Sequence, residues 1–93
     1  MNVEHSPAEH RFVASLPEGD AVLSYRIVGK KLMDIQSTYV PSSARGRGMG
    51  AALVRQALGY AREKGYAVRP SCWYVGTWVG EHPEYADLLE RRG

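Results

Sequence analysis

The hydrophobic period of this chain changes at Pro41. Before it, apolar and polar residues alternate. Leu23, Tyr25 and Ile27 share one face of the stretch Ala21 to Val28, with Ser24 and Arg26 on the other. Leu32 to Val40 repeats the pattern, with Met33, Ile35 and Tyr39 on one side and Asp34, Gln36 and Thr38 on the other. A period of two marks half-buried strands. After Pro41, the residues Leu53, Val54, Ala57, Leu58 and Ala61 recur at helical spacing, while Arg55, Gln56, Arg62 and Glu63 face away. Proline cannot donate to a sheet ladder, so the third strand ends there. Strands followed by a helix define an α+β (mixed α/β) class.

Smaller signals complete the outline. Arg11 to Ser15 reads as a first strand, joined to the next by the turn Leu16 to Asp20. Gly29-Lys30-Lys31 is a hairpin connection, so three strands form an antiparallel meander. The helix is expected at about 48–64, closed by Gly65 in the left-handed position. Tyr66 to Ser71 reads as a further short strand. Residues 73–80 and 84–91 read as short helices or irregular turns, split by His82-Pro83. No repeat, low-complexity tract or linker divides the chain, so residues 1–93 are expected to form a single domain.

Composition excludes more than it names. With 93 residues, 44% hydrophobic and 24% charged, the chain has the make-up of a globular domain and not of a disordered one. No apolar run approaches the ~20 residues of a membrane span. The N-terminus lacks the basic-then-apolar order of a secretory signal. Cys72 is the one cysteine, which excludes an internal disulfide and a cysteine-rich metal cluster. His5, His10 and His82 have no ligand spacing, so no metal is expected. The default is a cytoplasmic, reduced domain, expected to be a monomer.

Charge is concentrated in the middle of the chain. Between residues 45 and 69, Arg45, Arg47, Arg55, Arg62, Lys64 and Arg69 stand against Glu63 alone, although the net charge of the whole chain is only +2. Such a segment is either a solvated helix face or a surface that attracts anions. The run Arg45-Gly46-Arg47-Gly48-Met49-Gly50 favours an anion. It stands where strand gives way to helix, and it offers glycines and arginines where a capping Ser, Thr, Asp or Asn would normally sit. Uncapped N–H groups, the helix dipole and close backbone access together suit a phosphate or pyrophosphate.

Two familiar phosphate loops do not fit. No Lys-Ser or Lys-Thr follows the glycines, which excludes a Walker A loop. Gly46, Gly48 and Ala51 formally match the dinucleotide fingerprint. However, Pro41 to Arg45 separate them from the strand, that strand belongs to an antiparallel meander, and no acidic residue stands ~20 positions on.

Arg45-x-x-Gly48-x-Gly50 resembles the (Q/R)-x-x-G-x-(G/A) acetyl-CoA motif of GNAT-type N-acetyltransferases, most closely their compact, stand-alone YjdJ-type branch. The likeness spans Ala21 to Leu89. It is carried by Thr38-Tyr39-Val40-Pro41, by Arg45 to Gly50 with its helix, by Pro70-Ser71-Cys72, and by His82-Pro83-Glu84-Tyr85. The resemblance implies a GNAT-like fold: a meander, a long cofactor helix, a further strand splayed from the third, and short C-terminal helices. It implies that acetyl-CoA or coenzyme A binds along Tyr39 and Val40, against the backbone of Arg45, Gly46, Arg47, Gly48, Met49, Gly50 and Ala51, and beside Ser71 and Tyr74. One departure stands out. Relatives of this branch read His-Thr-Glu-Val where this chain has Ser37-Thr38-Tyr39-Val40, so an acid–base role there does not carry over.

By the same resemblance, Cys72 is the candidate catalytic residue beside the acetyl group. A free cysteine is often an inert, buried small hydrophobe, but a helix start favours the nucleophilic thiolate form. Direct attack by the amine is the commoner GNAT scheme and needs no acetyl-cysteine. Trp73, Tyr74, Trp78 and Tyr85 read mainly as core, with Tyr74 or Tyr85 as a possible proton donor to the departing thiolate. His82 reads as structural, and no general base is identified. Larger GNAT enzymes carry helices between their first two strands. Here that connection reads as Leu16 to Asp20, which leaves the acceptor face open to an amine on a small molecule or protein. The expected function is an acetyl-CoA-dependent N-acetyltransferase; the alternative is a coenzyme A-binding module with little or no turnover. Nucleic acid is disfavoured as a partner, because aromatics do not alternate with the basic residues on a strand.

Overall fold

The structure, a computed structural model, describes residues 2–90. Five strands form one sheet in sequence order: β1 (Val3–Ser6), β2 (Arg11–Leu16), β3 (Gly19–Val28), β4 (Leu32–Tyr39) and β5 (Ala67–Pro70). The first four are antiparallel, and β5 runs parallel to β4. Parallel neighbours need a long crossover, and helix α1 (Met49–Lys64) supplies it. A second helix, α2 (Trp73–Glu81), and a 3-10 segment at Pro83–Leu88 follow β5.

The expected apolar stripe of α1 is the buried one: Leu53, Val54, Ala57, Leu58 and Ala61 are fully covered. They pack on Phe12, Ala14, Leu23, Tyr25, Met33, Ile35 and Val68 of the sheet and on Val75, Trp78 and Val79 of α2. Gly65 ends the helix at φ 76°, and the Tyr66 N–H reaches back to the Ala61 carbonyl at 2.8 Å. That closure satisfies late helical carbonyls and turns the chain into β5.

The structure corrects three expectations. The first strand is β1 at Val3–Ser6, not Arg11 to Ser15. Its inward residues are Val3 and the half-buried His5, whose ring stacks on Phe12 at 4.0 Å and 3°, and one valine beside a histidine does not announce a strand. The connection between the first two strands is therefore the 3-10 turn Pro7–Glu9, shorter still than Leu16 to Asp20. The aromatics of the last third also do not share one environment. Trp78 is buried, Tyr74 and Tyr85 are half-buried, and Trp73 is 77% exposed.

The third correction concerns Tyr39. Ser24 pairs with Ser37, but the next residue, Tyr25, pairs with Ile35, so Gln36 is a β-bulge. An extra residue flips the alternation beyond it. Thr38 now lies opposite the buried Leu23, on the face that α1 covers. Tyr39 points to the outer face, away from Met33 and Ile35, and is 55% exposed.

Candidate functional site

The cleft opens where β4 and β5 part. Their parallel register runs from Leu32↔Ala67 to Ile35↔Pro70 and stops. The last backbone link is from the Cys72 N–H to the Ile35 carbonyl, at 2.9 Å. Past that point the chain after β5 turns into α2, with Cys72 as its N-cap residue. No residue of β5 stands opposite Gln36 to Tyr39, so the β5-facing edge of that stretch has no strand partner. The resulting hollow holds about 640 Å³ and is lined by residues of β4, α2 and the loop before α1.

The loop wall follows from backbone chemistry. Gly46 and Gly48 have φ of 87° and 78°, a region that L side chains rarely adopt, and a Cβ on either would meet open space. Gly48 is the N-cap of α1 and brings no capping side chain. The first helical bond runs from the Ala52 N–H to the Gly48 carbonyl, at 3.0 Å. The amides of Met49, Gly50 and Ala51 thus lie ahead of the first helical donor, without a helical carbonyl to bond, at the positive end of a 16-residue helix. That is the polarity an anion requires.

The two loop arginines have separate jobs. Arg45 lines the cleft and donates from Nε to the Val40 carbonyl at 3.2 Å, tying the loop to the free end of β4. Arg47 faces away. Its guanidinium pairs with Glu18 in the β2–β3 turn at 2.7 Å and donates to the Ser43 carbonyl at 3.3 Å. Other members of the basic segment are similarly engaged. Arg62 forks onto Asp87 at 2.9 and 3.0 Å, Arg69 forks onto Glu90 at 2.8 Å, and Arg55 lies over the Trp78 ring. Arg47, Arg62 and Arg69 are thus neutralised by carboxylates distant in sequence, which no local reading detects.

The inner end of the cleft is built around Cys72. Its Sγ donates to Thr38 Oγ1 at 3.8 Å, a contact across the gap between the diverging strands. Tyr74 forms the adjoining wall and presses on the first turn of α1: a Cβ on Gly50 would stand 2.9 Å from Tyr74 Oη. Burial, followed by the charge of Glu81, raises the Tyr74 phenol above its ordinary value, so it remains a hydrogen-bond donor at neutral pH. Ser71 donates to the buried Asp34 at 2.5 Å, while Arg26 reaches the other carboxylate oxygen at 3.2 Å. This pair holds the end of β5 to β4 just before the strands separate.

Of the residues singled out from sequence, the structure brings Tyr39, Val40, Arg45, Gly46, Gly48, Met49, Gly50, Cys72 and Tyr74 to one cleft. Arg47 braces the loop from behind, Ala51 packs against the core, and Ser71 serves the Asp34 link. Thr38 and Trp73 also line the cleft and were not singled out. Thr38 was hidden by the bulge, and Trp73 by the assumption that a tryptophan in a small domain is core. Tyr85 packs on Trp78, and His82 stacks on the same ring with Nδ1 2.8 Å from the Trp78 carbonyl, so both are structural. Among the described residues, no cluster of three or more His, Cys, Asp or Glu side chains forms a metal site, and no helix is long and apolar enough to cross a membrane.

A glycine loop opening a helix beside a pair of splayed strands is a family arrangement, and comparison with known proteins identifies the family. Residues 11–88 match the family model described as GCN5-related N-acetyl-transferase. This chain belongs to the GCN5-related N-acetyltransferase family. It is 35% identical to protein NATD1 of Homo sapiens over 97% of this chain and 83% of that protein, and 36% identical to protein NATD1 of Gallus gallus over 97% and 86%. The fold is also that of a GCN5-like putative N-acetyltransferase from Staphylococcus aureus, known from its solution structure. The TM-score is 0.78 at 22% identity, over 99% of this chain and 90% of that one. Membership makes the chain an acyltransferase of the N-acetyltransferase class, built on a GNAT-type α+β fold.

Proposed function

We propose that this GNAT domain transfers an acetyl group from acetyl-CoA to an amine. The observation that carries the reading is the junction of two features in one cleft. An uncapped helix N-terminus with open glycines stands at one end, and a free strand edge leading to Cys72 and Thr38 stands at the other. The pyrophosphate fits the amides of Met49, Gly50 and Ala51. The pantetheine amides fit the unpaired edge around Tyr39 and Val40, as an added strand would. The thioester then reaches Cys72. The amine nitrogen attacks the thioester carbonyl, the new C–N bond forms, the C–S bond breaks, and the nitrogen gives its proton to water. Tyr74, held protonated, hydrogen-bonds the departing thiolate. Cys72 shapes the acetyl end, and acetyl transfer does not pass obligatorily through its sulfur.

Calorimetric titration with acetyl-CoA, coenzyme A and a short oligonucleotide tests the binding step. Selective coenzyme A binding, lost in Gly48→Val, is the expected result, since a valine both strains the backbone at φ 78° and fills the open space above the loop. Unchanged affinity in folded Gly48→Val removes the loop from the site. Acceptor-dependent coenzyme A release then separates an enzyme from a binding module. Cys72→Ala is expected to keep coenzyme A binding and part of the transfer activity, whereas complete loss of transfer alone would establish an acetyl-cysteine route.

A further inference from the structure

Among the described residues, the large hydrophobic side chains left exposed are Tyr39 at 55% and Trp73 at 77%, and both line the same cleft. Neither ring takes part in the chemistry proposed above, which uses the Tyr39 backbone and no part of Trp73. Their placement is specific. Tyr39 follows Thr38 and Trp73 follows Cys72, so both residues adjoin the Thr38–Cys72 contact along the chain and line the cleft that holds it. The bulge at Gln36 sends Tyr39 to the outer face, away from α1 and its pyrophosphate-binding turn. Trp73 touches the Tyr74 ring edge-on at 6.1 Å and otherwise stands in solvent.

We propose that Tyr39 and Trp73 are the specificity-determining residues of the acceptor side, and that the acceptor is a monoamine carried on a flat, apolar body. The proposal rests on the acetyltransferase reading. An exposed aromatic pair at one cleft marks a ligand surface, and ring faces recognise flat apolar groups by stacking and a nearby ammonium by cation–π attraction. The charge of the cleft decides against the other large class of amine. Its lining carries the guanidinium of Arg45 and, among the described residues, no carboxylate. A polyamine or lysine-rich segment brings several ammonium groups, each of which would need an anionic partner, and the lining offers no side chain to supply one. Asp34 lies buried under Arg26 and Ser71, Glu18 is paired with Arg47, and Glu81, whose charge is felt at Tyr74, stands outside the lining.

The test uses the intact protein saturated with coenzyme A, so that acceptor binding is read without turnover. Calorimetry with 2-phenylethylamine and with spermidine is expected to show binding of the first and weak or no binding of the second. Trp73→Ala should weaken 2-phenylethylamine binding by roughly three- to tenfold, the worth of one aromatic contact. It should leave the affinity for coenzyme A itself unchanged, and Trp73→Phe should restore most of the loss. Tyr39→Ala should act in the same direction. The side chain of Trp73 is mostly in solvent, so the variant is expected to fold, and far-UV circular dichroism checks this. If coenzyme A fails to bind the unaltered protein, the parent reading falls and this one with it. Three results overturn this inference alone, with coenzyme A binding intact: spermidine binding as well as 2-phenylethylamine, no effect of Trp73→Ala on either amine, or an effect of Trp73→Ala on coenzyme A in place of the amine.

Discussion

Gly50 is where the loop, the helix and the cleft wall meet, and adding one methyl group there should reveal it. A Cβ at residue 50 would stand 2.9 Å from Tyr74 Oη and 3.1 Å from both Cε2 and Cζ. Two opposing terms set the outcome of Gly50→Ala. Replacing glycine in a helix is worth up to about 1 kcal/mol, less in a first turn. Forcing a methyl into a packed contact costs about 1–3 kcal/mol. The overpacking term is the larger, so Gly50→Ala should lower stability by roughly 0–2 kcal/mol. In a Tyr74→Ala background the clash is gone and only the helix term remains, so the same substitution should raise stability by roughly 0.5–1 kcal/mol. Tyr74→Phe removes the oxygen at 2.9 Å but leaves the ring carbons at 3.1 Å, and should give an intermediate value. Urea unfolding of the four proteins in the cycle measures the coupling, expected at about 1–3 kcal/mol. With a slope near 1–3 kcal/mol per molar urea, that is a midpoint difference on the order of 1 M. Equal stabilisation by Gly50→Ala in both backgrounds would refute the argument, because it would mean that the Tyr74 ring does not brace the first turn of α1.

Two further tests follow from pairings that only the folded chain shows. Arg47→Ala strips the partner from Glu18, whose side chain is only 19% exposed. It should cost about 1–2 kcal/mol, with Glu18→Gln in the same chain recovering most of it, as a double-mutant cycle by chemical denaturation would show. His5 is held below the ordinary histidine value, first by burial and then by the nearby charge of His10. The unfolded chain therefore binds the extra proton first. The contribution of His5 to stability is present above the ordinary value near 6.5 and is lost as pH falls through the lowered folded value. Unfolding free energy should rise with pH across that window, and the slope should shrink in His5→Gln; an unchanged slope would remove His5 as its source.

The half of the site that binds phosphate was legible because its chemistry is local. A glycine needing positive φ, a helix start without a capping side chain and a strand ended by proline are each visible within a few residues. The stripe of α1 was legible for the same reason, since helical spacing survives any tertiary arrangement that buries one face. What failed depended on partners far along the chain. Arg47 and Arg62 read as free cations until Glu18 and Asp87 are brought to them. Strand β1 read as nothing because, beside Val3, its inward side chain is a half-buried histidine made acceptable by Phe12, Tyr25 and Tyr60.

The strand β4 failure is the most informative, because alternation was read correctly and still gave the wrong face. The bulge at Gln36 falls at the place where β5 stops pairing with β4: Ile35 is the last residue with a β5 partner, and Gln36 is the residue without a β3 partner of its own. The two edges of the strand are thus disturbed at the same point. A bulge increases local twist and bends the strand that carries it, which turns residues Ser37 to Tyr39 away from the line of β5. The opening of the cleft and the reversal of Tyr39 then have one origin. A regular β4 would bury Tyr39 on the side of α1 and carry Thr38 to the outer face, separating it from the Cys72 sulfur. One extra residue sets both the aromatic that meets the outer side of the cleft and the hydroxyl that meets the thiol. Alternation cannot register it, since the apolar Tyr39 keeps the period of Met33 and Ile35 in the sequence while the bulge gives its face to the polar Thr38.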